Sequence, residues 1–137
     1  MDSENFAAAP VERIISRFPG VTAAAVYPIP DPVTGDLVGA TLEIPGGEFD
    51  PDSFSSFLSE QPDLGTKWAP RLIRVLTELP MTATHKISKP ALRRMLWHGE
   101  APVYERAGDA YVPMTGDRKA DLEAEYVRSG RAELLRF

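Results

Sequence analysis

Two extended segments joined by a short turn limit what this chain can fold into. The first, VTAAAVYPIP (21–30), is a run of small and β-branched apolar residues typical of a buried strand. The second, LVGATLEI (37–44), alternates apolar residues with more polar ones, so that Thr41 and Glu43 should lie on a wetter face. The intervening DPVTGD is rich in turn-forming residues, and Gly35 can adopt a positive φ. The pattern predicts two antiparallel strands connected by a tight turn.

Helical patterns surround this strand pair. Apolar residues recur at helical spacing from Pro10 to Phe18, and Pro19-Gly20 should end that helix. Asp50 is a suitable N-cap for a second helix. A short apolar strand at 72–76 is followed by a third helix over about 88–98, with Gly99 as its stop. The order helix, strand, strand, helix, strand, helix predicts an α+β fold with a sheet of about three strands flanked by helices.

Residues 101–137 show a different pattern of apolar and polar residues. APVYERAGDAYVPM (101–114) predicts two short extended pieces around a Gly-Asp turn, and the stretch from Asp117 onward predicts a helix. We therefore expect a single domain over residues 1–137. Its core would span 1–99, and a hairpin-like and helical extension would span 100–137.

Composition excludes several classes of function. A formal net charge of −5 argues against a nucleic-acid-binding protein. The absence of cysteine excludes disulfides and thiolate zinc sites, and it fits a cytoplasmic location. No apolar run approaches the roughly 20 residues of a transmembrane helix, although peripheral contact with a membrane remains possible. His85 and His98 lack ligand-like spacing, so no metal site is predicted.

One lysine is a candidate for chemistry. The sequence contains no phosphate-binding glycine loop, no zinc-protease motif and no nucleophile elbow. Lys86 instead lies on a turn before the third helix, where Thr82 and Thr84 can bond to the local backbone and hold the loop. An ammonium held in this way is a good partner for a phosphate or a carboxylate. By themselves, however, these residues favour an ordinary solvated surface charge.

Three stretches in order resemble the C-terminal domain of the adenylate-forming enzymes, the superfamily that contains acyl-CoA synthetases. SENFAAAPVERII resembles the family pattern GENIxxxEVExxL, and FPGVTAAAVYPIPDPVTGDLVGATLEI resembles HPxVxxAAVxGxPDxxxGExxxAxVxL. TKWAPRLIRVLTELPMTATHKISKPALRR is similar to a third pattern that ends in TGKixxxxLrx. KWAPR followed by PVYERAGDAYVPMT resembles the fatty-acid transport protein and very-long-chain acyl-CoA synthetase group. The resemblance covers about two-thirds of the chain.

The resemblance implies a role for two parts of the chain. It implies that Lys86 is the catalytic lysine that bridges the acyl carboxylate and the nucleotide phosphate during ATP-dependent acyl-adenylate formation. A large N-terminal domain would bind ATP, Mg²⁺ and the fatty acid. After the small domain rotates, the segment Ser3, Glu4, Asn5 and Phe6 would face CoA for thioester formation.

The sequence also departs from the family pattern. His85 stands where the family has glycine, and Ser3 replaces the glycine of the other motif. The family's ATP-binding loops would lie upstream of Ser3, so the chain alone should be inactive. One alternative, supported mainly by the departure at His85, is a non-catalytic binding or regulatory module with the same fold. Another is the lid of an adenylating enzyme that loads an acyl carrier protein.

Overall fold

The computed structural model describes residues 8–33, 35–61, 69–99 and 101–135. The α+β class is confirmed, because this part of the chain contains both helices and a sheet. In chain order its elements are α1 (Ala8–Ile15), β1 (Ala23–Pro30), β2 (Asp36–Glu43), α2 (Pro51–Ser59), β3 (Leu72–Leu76), α3 (Lys89–Met95), β4 (Val103–Ala107), β5 (Ala110–Pro113), α4 (Gly116–Arg128) and a 3₁₀ helix (Ala132–Leu135).

The strands form one sheet in the order β1-β2-β3-β4-β5. β1 and β2 are antiparallel from the Ala23–Glu43 pair to the Pro30–Asp36 pair, as the sequence predicts. β2 and β3 run parallel, whereas β3, β4 and β5 are antiparallel neighbours. The expected count of about three strands was therefore approximate. The predicted C-terminal hairpin adds two strands, because β4 pairs with the side of β3 that faces away from β2.

Helices cover both faces of the sheet and produce two apolar cores. Ala24 and Val26 of β1 lie in the core that contains α1 and α2, whereas Ala25 and Tyr27 lie in the core that contains α3 and α4. A strand buried on both faces needs apolar residues at successive positions, and this explains the nearly continuous apolar run of β1.

The prediction that one face of β2 is more exposed to water is wrong. Thr41 is fully buried, and its hydroxyl lies 2.6 Å from the Tyr27 hydroxyl. Gly39 lies beneath Ile29, so close that a Cβ at this position would be 2.5 Å from Ile29 Cδ1. The face is dry because Tyr27 and Ile29 pack there within the core of α3 and α4. Glu43, at the end of the strand, retains partial exposure.

The third helix ends earlier than its apolar pattern predicts. α3 stops at Met95 because Leu96 adopts a φ of 47°. The buried side chain of Arg74 supports this ending: its Nη2 donates to the carbonyl oxygens of Met95, Leu96 and His98 at 3.3, 2.9 and 2.6 Å. The last carbonyl groups of a helix have no partner within it, and here a guanidinium supplies that partner.

Three helices contact the outer edge of β1 through side chains. The Val26 N–H donates to Glu12 Oε2 of α1 at 2.7 Å. Arg93 Nε of α3 donates to the Pro28 carbonyl oxygen at 3.2 Å, and the Tyr126 hydroxyl of α4 donates to the Pro30 carbonyl oxygen. These contacts fix all three helices against the same strand.

The C-terminal elements share the core of the preceding residues. Trp97 and Tyr126 are fully buried with ring centroids 5.6 Å apart. The Trp97 Nε1 donates to Glu123 of α4 at 3.2 Å, and the Tyr111 hydroxyl of β5 donates to the Pro70 carbonyl oxygen at 2.5 Å. β4, β5 and α4 therefore contact the earlier part of the chain through buried side chains.

Candidate functional site

Lys86 lies in a tight hairpin between β3 and α3. Met81 and Ile87 form an antiparallel bridge at its stem. The Thr82 N–H donates to the Lys86 carbonyl oxygen at 2.7 Å, and the His85 N–H donates to the Thr82 carbonyl oxygen at 3.0 Å. The two bonds close a turn over residues 82–85 and leave Lys86 at the first position after it.

His85 occupies the left-handed region, with a φ of 63°. In short hairpins of this kind, the last residue of the turn commonly adopts this conformation, which is why glycine is favoured there. Histidine is one of the side chains that enters the region more readily than most. The residue that replaces the family glycine therefore adopts the backbone conformation for which glycine is best suited.

The two threonines predicted to support the loop contact each other and the backbone. Thr82 Oγ1 accepts a hydrogen bond from the Lys86 N–H at 3.2 Å and lies 3.1 Å from Thr84 Oγ1. Thr82 therefore bonds to Lys86 through its side chain and its backbone. The structure brings Thr82, Thr84, His85 and Lys86 together, whereas the predicted segment Ser3, Glu4, Asn5 and Phe6 lies outside the described residues.

The base of the hairpin is fixed by backbone and capping bonds. The Ser88 N–H donates to the Pro80 carbonyl oxygen at 2.9 Å. Ser88 is also the N-cap of α3, where its hydroxyl accepts from the Ala91 N–H at 3.4 Å. Leu79 is buried in the core of α3 and α4. The loop therefore projects from a packed base.

Glu43 contacts this base, although no sequence motif connects it with the loop. Its Oε2 accepts the Leu79 N–H at 2.9 Å, and its Oε1 accepts the Thr22 hydroxyl at 2.7 Å. The bond from Leu79, followed by that from Thr22, lowers the pKa of the Glu43 carboxyl below its usual value. The one signal in the sequence is an acidic residue on a strand, a pattern that indicates only an exposed side chain.

A second carboxylate contacts the residues after the loop. Glu12 Oε2 accepts from Lys89 Nζ at 2.7 Å as well as from the Val26 N–H. Lys89 is the first residue of α3, so this ion pair connects α1 to the start of the helix that follows Lys86. Both partners are partly exposed, and such pairs contribute at most about 1 kcal/mol.

The arrangement presents a cation for contact with an anion. Lys86 is exposed, and no acidic side chain within the described ranges forms an ion pair with it. Across the same residues, no three His, Cys, Asp or Glu side chains gather as a metal site would require. None of the helices described here is long and apolar enough to cross a membrane. The chemistry available at this loop is that of an exposed ammonium.

Comparison with known proteins identifies close relatives. The chain is 42% identical to the steroid-22-oyl-CoA synthetase of Rhodococcus jostii (strain RHA1) over 98% of its length, which is 25% of that protein. It is 52% identical to the medium/long-chain-fatty-acid–CoA ligase FadD17 of Mycobacterium tuberculosis over 67% of its length, or 18% of the ligase. The chain thus spans about a quarter or less of these curated relatives.

Solved structures share the fold. A fatty acyl CoA synthetase of Mycobacterium tuberculosis superposes with a TM-score of 0.56 at 25% identity, over 65% of this chain and 17% of that one. The amide bond synthetase McbA of Marinactinospora thermotolerans gives a TM-score of 0.57 at 29% identity, over 65% of this chain and 18% of that one. The family model for the AMP-binding enzyme C-terminal domain matches residues 10–86, a range that ends at Lys86. The chain belongs to the AMP-binding enzyme C-terminal domain family.

Proposed function

We propose that this chain is the mobile C-terminal domain of an AMP-forming fatty acid–CoA ligase, and that Lys86 is its adenylation lysine. The observation that carries the proposal is the hairpin of residues 81–87, which holds an exposed lysine at the end of a hydrogen-bonded loop. The names of the two curated relatives support a lipid carboxylic acid as the substrate.

The chemistry of adenylation explains why a cation is needed. The acyl carboxylate oxygen attacks the α-phosphorus of ATP and forms the acyl–phosphate bond. The bond from the α-phosphorus to the bridging oxygen breaks, and pyrophosphate leaves. The attack brings two anions together, and the Lys86 ammonium offsets their repulsion in a site from which water is excluded. ATP, Mg²⁺ and the fatty acid would be held mainly by an N-terminal domain.

The conformation of His85 supports delivery of Lys86 without the family glycine. The departure at this position was the main argument for a non-catalytic module with the same fold. Since His85 adopts a φ of 63° and both turn bonds form, the substitution leaves the loop in a glycine-like path. That alternative therefore loses its sequence argument.

The direct test is Lys86→Ala in the complete ligase that carries this domain. We expect the rate of acyl-adenylate formation, followed by pyrophosphate exchange into ATP, to fall by about 10²–10³-fold. Lys86→Arg should recover only part of the rate, because the guanidinium is a planar fork and not a compact charge.

Lys119→Ala is the matched control, because it removes one lysine from α4 and leaves the loop unchanged. Lys119 is half-buried on α4, outside the Lys86 loop, so the adenylation rate of this variant should stay within about twofold of wild type. A folded Lys86→Ala enzyme with a normal adenylation rate would overturn the assignment.

The second half of the proposed cycle uses another part of the chain. After pyrophosphate leaves, the domain rotates, and the segment Ser3–Phe6 faces the CoA thiol, which attacks the acyl carbonyl and displaces AMP. Thioester formation from supplied acyl-adenylate should therefore be insensitive to Lys86→Ala. Competition between CoA and an acyl carrier protein for the adenylate distinguishes this acceptor from the carrier-protein alternative.

A further inference from the structure

We propose that Glu43 is a positioning residue for Lys86: its carboxylate fixes the backbone where the chain enters the Lys86 hairpin. The inference rests on the proposed function of Lys86. It concerns a residue that keeps the Lys86 hairpin in place. Glu43 does not belong to the loop, and no motif in the sequence connects it with Lys86.

The backbone around Leu79 explains why a carboxylate is needed. Glu43 pairs with Leu76 at the ends of the parallel strands β2 and β3. Beyond Leu76 the chain leaves the sheet, so the Leu79 N–H has no strand partner. Leu79 is only 2% exposed, and an unpaired N–H there would destabilise the fold. Glu43 Oε2 accepts the Leu79 N–H at 2.9 Å and so takes the place of a carbonyl oxygen from a neighbouring strand.

The carboxylate itself is held in a fixed orientation. Its Oε1 accepts the Thr22 hydroxyl at 2.7 Å, while the Thr22 N–H donates to the Glu43 backbone carbonyl at 2.9 Å. Thr22 directly precedes β1, so the sheet orients Glu43, and Glu43 orients Leu79. A hydrogen bond to an ionised acceptor is stronger than one between neutral groups, which suits a contact that must resist domain motion.

Leu79 connects directly to the stem of the hairpin. Pro80 accepts the Ser88 N–H at 2.9 Å, and Met81 is bridged to Ile87, the neighbour of Lys86. A shift of the backbone at Leu79 is therefore transmitted to Lys86 through the Ser88–Pro80 hydrogen bond and the Met81–Ile87 bridge. Displacing a catalytic group by about 1 Å can cost up to 10²-fold in rate.

Glu43→Ala in the complete ligase is the central test. We expect the kcat of acyl-adenylate formation to fall about tenfold, with the KM values for ATP and fatty acid within about twofold. Thioester formation from supplied acyl-adenylate should stay within about twofold. Glu43→Gln should restore most of the rate, because its amide oxygen can still accept the Leu79 N–H. Thr22→Val, which removes only the second contact, should lose about twofold or less.

A double substitution separates positioning from a general loss of structure. If Glu43 acts through Lys86, Glu43→Ala should cause no further loss of adenylation in the Lys86→Ala enzyme. Amide exchange followed on the peptide 77–87 gives a second readout, which does not depend on activity. We expect faster exchange in Glu43→Ala and near-native exchange in Glu43→Gln.

The outcomes distinguish the two proposals. A slow Lys86→Ala enzyme together with a normal Glu43→Ala enzyme overturns positioning and leaves the function of Lys86 standing. Multiplicative losses in the double variant also overturn positioning, because the two residues then act independently. A normal Lys86→Ala enzyme overturns both. If Glu43→Ala fails to fold, Glu43→Gln with native exchange but a tenfold loss of rate would equally refute the inference.

Discussion

Arg74 Nη2 lies 2.6 Å from the carbonyl oxygen of His98 and joins the central strand β3 to the end of the helix that follows the Lys86 loop. Arg74 is only 3% exposed, and burial lowers its pKa, although an arginine remains charged in proteins. Its charge is compensated by carbonyl dipoles at the C-terminal end of α3, where a cation is favoured. The contact fixes where α3 ends.

Replacing Arg74 should therefore destabilise the domain. Arg74→Met leaves the carbonyl oxygens of Met95, Leu96 and His98 without this donor, and we expect a loss of about 2–3 kcal/mol in the free energy of unfolding. Urea denaturation measures it. Arg94→Met is the control, because Arg94 is exposed on the same helix and should change stability by less than about 0.5 kcal/mol. Equal effects of the two substitutions would contradict this role.

Gly39 should tolerate no side chain. A Cβ there would approach Ile29 Cδ1 to 2.5 Å and Tyr27 Cε2 to 3.2 Å, and both neighbours are buried. Gly39→Ala should lower the free energy of unfolding by about 1–3 kcal/mol, the usual cost of overpacking. Gly116→Ala serves as a control because a Cβ there meets no atom of the described residues within 4 Å. It should leave stability unchanged or raise it by up to about 1 kcal/mol.

The backbone at His85 predicts an order of effects among substitutions. His85→Gly relieves the left-handed conformation but increases the freedom of the unfolded chain, so stability should change by less than about 1 kcal/mol. His85→Val places a β-branched residue at a φ of 63° and should cost about 1–2 kcal/mol.

Adenylation assays of the same variants test the loop rather than the fold. The glycine variant should retain its rate, and the valine variant should lose rate as the loop shifts Lys86. A valine variant with native stability and native adenylation would show that the left-handed residue is unimportant.

Acid should weaken the contact between Glu105 and Arg118. Arg118 donates to both oxygens of Glu105 at 2.7 Å, and chiefly this bonding lowers the pKa of Glu105 below its ordinary 4.5. A carboxyl whose pKa is lowered by folding stabilises the native state above its unfolded pKa, and that stability is lost as pH falls through the folded value. Stability measured from about pH 5 to pH 3 should therefore decline less in Glu105→Gln than in wild type. An equal decline of stability with falling pH in Glu105→Gln and wild type would contradict the prediction.

Local sequence patterns were sufficient for most elements but not for the contacts between them. The strand pair around Gly35 and the turn before α3 follow from residues close together in the chain, and both were predicted. The burial of Thr41 and the early end of α3 depend on Tyr27 and Arg74, which lie far away in sequence. A period-two pattern cannot show whether a helix covers the second face.

In the candidate site, too, the contacts between residues close in sequence could be predicted and the distant one could not. Thr82 and Thr84 could be assigned to the loop because their hydroxyls act over two to four residues. Glu43 lies 36 residues from Leu79, and its bond exists only because β2 and β3 end at the same edge of the sheet. An acidic residue on a strand carries no sign of which backbone N–H it will accept.

The side-chain contacts along β1 also affect how molecules of this domain meet. The backbone hydrogen-bonding groups of the alternate residues Val26, Pro28 and Pro30 face away from β2. An unprotected edge there would template an incoming strand. The two prolines have no N–H, Glu12 occupies that of Val26, and Arg93 and Tyr126 occupy the proline carbonyl groups. This stretch of the edge offers no free donor for pairing. Strand-to-strand self-association of the domain is therefore disfavoured along this part of its edge.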